Sequence, residues 1–129
     1  MSKVFVVGIG PGGLDEMTPR ARRAIESVEV VAGYNTYIKL IENIISDKKI
    51  IGRAMMQEVE RCQLAIAEAL SGRNVAVVSS GDAGVYGMAG LVLEMILDLP
   101  KDKLVLPLFP GDNRFFVFTL SYKLMHFAH

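Results

Sequence analysis

The residues with the greatest chemical capacity lie at 77–90, in VVSSGDAGVYGMAG. An apolar run typical of a buried strand stops at Ser79-Ser80-Gly81-Asp82, and a helical pattern begins a few residues later. Gly81, Gly84, Gly87 and Gly90 fall within ten positions, with Asp82 and Tyr86 among them. Glycines in such a turn admit a ligand close to the backbone, because no Cβ stands in the way. A strand's carboxyl end opening into a loop of this kind is where open α/β sheets hold small molecules. Three roles are open to Asp82: a cap on the following helix, an acceptor for a ligand, or a base. The cap is the commonest use of Asp between a strand and a helix, ligand contact is a serious competitor among these glycines, and the base has least support. Tyr86 either lines a pocket or packs at the helix start.

A second glycine-rich turn, Gly8-Ile9-Gly10-Pro11-Gly12-Gly13, satisfies G-x-G-x-x-G after a strand. In a dinucleotide fold the helix begins at the loop itself, so that its N-terminus holds the pyrophosphate. Here the helix start falls at Thr18-Pro19. The end of the second strand, VVAGYN at 30–35, also lacks the acid that would hold a ribose. The nicotinamide reading fails at both points, and a tight turn with no ligand is the plain alternative. His126 and His129 have no acidic partner at ligand spacing, so no metal is expected. The single cysteine, Cys62, excludes an internal disulfide, a multi-cysteine metal site and an iron–sulfur cluster. It falls in step with Val59 and Ile66 on a helix and reads as a small core residue. Met55-Met56 reads as core filling, and no serine sits in a nucleophile-elbow pattern.

Elements that would position these residues follow from periodicity. The 129 residues suit one domain, and a hydrophobic fraction of 51% argues against disorder. With 14 basic and 14 acidic residues and no charged block, nothing favours nucleic acid or an anionic membrane. No stretch approaches the roughly 18 apolar residues of a membrane span; a soluble, cytoplasmic protein is expected. Strands are predicted at 4–7, 29–32 (broken by Gly33), 49–51, 74–79 and 104–109. Helices are predicted from Thr18 as N-cap and Pro19 through Ala21, Ala24, Ile25 and Val28, over 34–45 on Tyr37, Leu40, Ile41 and Ile44, and over 55–70. That third helix is apolar at Val59, Cys62, Ile66, Ala69 and Leu70 and stops at Ser71-Gly72; a fourth runs from about 85 to 97 before Pro100. Alternation of this kind predicts an α/β fold, a mostly parallel sheet of about five strands with helices on both faces. The tail at 112–129, DNRFFVFTLSYKLMHFAH, lacks periodicity and reads as an edge strand, an interface segment or an abnormal terminus.

Taken in order, VVGIGPGGLDEMTPRA at 6–21, VVAGYNTYIKLI at 30–41 and VVSSGDAGVYGMAG at 77–90 resemble the tetrapyrrole methylases, most closely the precorrin-3B C(17)-methyltransferase branch. The resemblance implies an α/β domain over 1–111, with the tail at 112–129 standing where the family has a second domain of similar size. It implies S-adenosylmethionine as methyl donor, a precorrin-type tetrapyrrole as substrate, ring contraction during C(17) methylation, and a dimer. It further implies that Pro11 borders the active-site trough, and that Gly81, Asp82, Ala83, Val85 and Tyr86 form the loop around the donor. The family continues differently after Pro110-Gly111, so the chain is expected to be an N-terminal half with little activity alone. Two other classes stay open: a non-catalytic, self-associating fragment, and a nucleotide-binding module.

Overall fold

Val4, Val6, Val7, Val30, Val31, Ala32 and Val75 to Val78 are all buried, the pattern of strands covered on both faces. The computed structural model describes residues 2–10, 13–52, 57–99, 105–108 and 115–120. Its strands are β1 (Ser2–Gly8), β2 (Val30–Gly33), β3 (Lys49–Ile51), β4 (Val75–Ser79), β5 (Val105–Leu108) and β6 (Phe115–Leu120). They form one sheet in the order β3-β2-β4-β1-β6-β5. β3, β2, β4 and β1 pair in parallel, whereas β6 is antiparallel to both β1 and β5. The expected mostly parallel sheet is therefore present, with one reversed strand added from the tail.

Helices α1 (Pro19–Ser27) and α2 (Asn35–Leu40) cover one face, and α3 (Glu58–Leu70) and α4 (Asp82–Leu97) cover the other. Thr18 caps α1 as its sequence signal predicts, its Oγ1 accepting from the Ala21 N–H at 3.1 Å, with Pro19 at the first helical position. α3 stops where expected, the Ser71 N–H bonding back to the carbonyls of Ala67 and Glu68. Among the described residues no helix is long and apolar enough to cross a membrane.

Several expectations are corrected. β2 includes Gly33 instead of ending before it. The helix expected over 34–45 is only α2, followed by a 3-10 turn at Glu42–Ile44. Ile41 leaves helical geometry at φ −120°, and Ile38, Ile41 and Ile45 are the side chains that enter the core, while Leu40 is exposed. α3 begins at Glu58, and Met55-Met56 lies outside the described residues. Val59 is 46% exposed because the buried stripe follows Arg61, Cys62, Ala65, Ile66 and Ala69. α4 begins three residues before its expected start, so Gly81 and not Asp82 occupies the N-cap position. The cause is Gly84: a Cβ there would overlap the Ser79 hydroxyl, so this glycine marks close approach of helix to strand, not a loop.

The tail strand β6 is internal, not at the edge. Val4 lies opposite Phe118, and Val7 opposite Phe115. Phe118 joins the core beneath α3 and α4, and Val117 the core beneath α1 and α2, as the two-residue alternation of a strand requires.

Cys62 is fully buried, with Sγ 3.2 Å from the Met88 sulfur. Burial pushes its thiol up to about 11, Glu58 adding to the rise and Arg61 opposing it. The folded state thus keeps a proton that the unfolded chain sheds first. The neutral thiol's contribution is complete below pH 9.0 and is lost as pH climbs toward about 11. At mildly alkaline pH the native chain is expected to resist iodoacetamide and to react once unfolded in urea. Equal alkylation rates in both states would contradict the burial.

Candidate functional site

β2 leads into α2 on one face of the sheet, while its neighbour β4 leads into α4 on the other. Divergence of adjacent connections opens a crevice at the strands' carboxyl ends. A cleft of about 190 Å³ lies there. Tyr34, directly after β2, and Tyr37, one turn into α2, form one wall, their ring centroids 6.2 Å apart and tilted by 53°. The opposite wall comes from Val78 to Ser80 at the end of β4 and from Gly84, Gly87 and Met88 of α4. Glu58 and Arg61 reach it from the first turn of α3.

Arg61 is only 1% exposed, and its Cζ stands 5.6 Å from the centroid of the Tyr34 ring. Burying a guanidinium costs solvation, which the aromatic face partly offsets. On the other side, α4 starts at Asp82 and its first internal bond runs from the Val85 N–H to the Gly81 carbonyl at 2.8 Å. The N–H groups at 82–84 therefore have no partner within the helix and sit at its positive end. The arrangement offers a wall of serines and glycines, an aromatic wall and a buried cation around a space of small-molecule size.

The residues expected at the site separate in position. Pro11 lies outside the described residues, as do the side chains of Asp82 and Ala83. Gly81 faces open space, Tyr86 is half-exposed, and Val85 is fully buried beneath the turn. From the same motif, Ser79, Ser80, Gly84, Gly87 and Met88 line the cleft. Arg61 and Glu58 were not anticipated. Periodicity scores apolar residues, and a buried arginine inverts that signal. The available hint was a cation one turn before Ala65, on a stripe otherwise built from Cys62, Ile66 and Ala69.

With this geometry in place, the likeness to known proteins is specific. Residues 3–102 match the Tetrapyrrole (Corrin/Porphyrin) Methylases family. A probable cobalt-factor III C(17)-methyltransferase of Salmonella typhimurium is 53% identical over 91 residues, covering 70% of this chain and 38% of that protein. Cobalt-factor III methyltransferase of Priestia megaterium is 48% identical over 96 residues, 74% of this chain and 18% of its own length. The crystal structure of the methyltransferase CobJ superposes with a TM-score of 0.65 at 34% identity, covering 76% of this chain and 41% of that one. This chain thus spans well under half the length of each of these relatives. Neither the self-associating fragment nor the nucleotide-binding module gains support from these matches, and α1 beginning only at Pro19 speaks separately against a dinucleotide turn.

Proposed function

This chain belongs to the tetrapyrrole (corrin/porphyrin) methylases, and from that membership we propose that it supplies part of a site where S-adenosylmethionine methylates C(17) of a precorrin-type tetrapyrrole in cobalamin biosynthesis. The observation that carries this reading is the 53% identity over 91 residues to a probable cobalt-factor III C(17)-methyltransferase, with the cleft residues all inside the family match at 3–102. Contraction of the macrocycle accompanies the methylation in this proposal. The protein works in the cytoplasm as a homodimer, a reading supported by family likeness alone.

S-adenosylmethionine, when bound, supplies an electrophilic methyl group on a sulfonium. Transfer of that methyl to carbon depends on alignment of donor and acceptor more than on a strong base. The residues present suit that demand. The N–H groups at 82–84 hold polar groups of the donor, and Gly84 and Gly87 keep the α4 wall low enough for close approach. Pro11, Gly81, Asp82, Ala83, Val85 and Tyr86 make up the proposed donor-contacting set, Val85 acting by packing beneath the turn. An electron-rich tetrapyrrole carbon brings its own nucleophilicity, so the cleft requires no His–Asp pair. Calorimetric titration with S-adenosylhomocysteine and, separately, NADH tests the reading. Saturable heat with the first alone is expected; binding of NADH alone would reverse the assignment.

A further inference from the structure

We infer that Glu58 sets the ligand preference of the cleft by placing a carboxylate beside a cationic group of the methyl donor; the inference rests on the methyltransferase reading above and names the chemistry of one corner of that site. Among the described residues lining the cleft, the charged ones are Glu58 and Arg61. They differ in access. Arg61 is 1% exposed and stands against the Tyr34 ring, whereas Glu58 is exposed. Among the described residues, Glu58 also has no hydrogen-bond or ion-pair partner. The full charge that a ligand meets in this cleft is therefore negative.

Helix position alone does not account for this residue. Acids suit the first turn of any helix, and Glu60 stands in the same turn of α3. Glu60 meets that preference without lining the cleft, whereas Glu58 lines it. The charge of Glu58 also acts inward. It helps raise the Cys62 thiol one turn further on, and that sulfur lies 3.2 Å from the sulfur of Met88, a residue of the cleft wall. The tyrosine wall suits the same kind of ligand, since the faces of aromatic rings attract cations. S-adenosylmethionine carries two cationic centres, the sulfonium and the α-ammonium. The arms of a precorrin-type tetrapyrrole end in carboxylates, which Glu58 repels. One side chain thus draws the donor and turns the substrate's arms away from this corner, selecting by attraction and repulsion together.

Three probes separate the two cations. S-adenosylmethionine has both, S-adenosylhomocysteine keeps the ammonium without the sulfonium, and 5′-methylthioadenosine has neither. Affinities are measured by calorimetry for the parent chain, Glu58→Gln and, as a control, Glu60→Gln. Glu58→Gln is expected to weaken S-adenosylmethionine about three- to tenfold, the range for a charge contact partly screened by water, and to leave 5′-methylthioadenosine unchanged. An equal loss with S-adenosylhomocysteine assigns the ammonium as partner. An unchanged affinity for S-adenosylhomocysteine assigns the sulfonium, and the carboxylate then favours the donor over its spent product. Glu60→Gln removes the same charge from the same helical turn and should move none of the three. Glu58→Ala repeats the comparison should Glu58→Gln fold poorly. Equal affinities in parent and variant, or a loss shared equally by 5′-methylthioadenosine, overturn the inference and leave the methyltransferase reading intact. A parent chain that binds none of the three overturns both.

Discussion

Replacing Gly52 with alanine is expected to destabilise the fold by roughly 3–5 kcal/mol, a large share of a domain's stability. Gly52 follows β3 at φ +119°, a conformation that L side chains rarely adopt. An added Cβ would overlap the carbonyl oxygen of Gly33. That oxygen cannot easily retreat, because Gly33 is the last residue of β2 and is held in register opposite Val78. The Arg61 stem blocks a second direction of escape. Urea titration should show a lower midpoint with an unchanged slope, the mark of lost stability without a change in compactness. A loss under about 1 kcal/mol would mean that the turn relaxes and that the crowding counts for little.

Phe118→Ala is expected to cost about 3–5 kcal/mol, the range for removing a buried aromatic side chain from a core. Phe118 is 1% exposed, opposite Val4 on the central strand and in the same apolar cluster as Val77, Met88 and Val92. Collapse around the void is restricted, since the neighbouring strand and helices are tied by their own backbone bonds. Val59→Ala, on the exposed side of α3, serves as the reference and should change stability by no more than about 0.5 kcal/mol. Thermal unfolding of the two variants decides the point. Equal melting temperatures would show that β6 lies on the sheet without contributing to the core.

The contrast between these predictions and the primary sequence shows which signals are local. Thr18-Pro19 and Ser71-Gly72 act on their own helix termini, so both boundaries can be read residue by residue. The valine runs of β1, β2 and β4 identify themselves because strands covered on both faces have no polar side to alternate with. The start of α4 is harder to read. Gly84 carries the composition of a loop, yet its role is to let the helix close on Ser79, and that partner becomes visible only in three dimensions. β6 leaves almost no local trace either, as its register is set by β1 at the other end of the chain. In the cleft, the glycine motif and the tyrosine pair announce themselves by type and spacing. Arg61 does not: its meaning depends on Tyr34 and Gly52, which other elements bring to it.

The placement of β1 also shapes how this chain acquires its structure during synthesis. β1 is made first, yet Val4 meets Val75 on one side and Phe118 on the other. Until β4 has left the ribosome, a run of valines has no strand to pair with, and its second edge waits longer still. Closing such long loops spends chain entropy before any pairing rewards it, which slows folding relative to a helical bundle of equal size. An apolar strand that waits for its neighbours is also the segment most open to association with other nascent chains. The strand most central to the finished sheet is thus the one most dependent on shelter while the rest is being made.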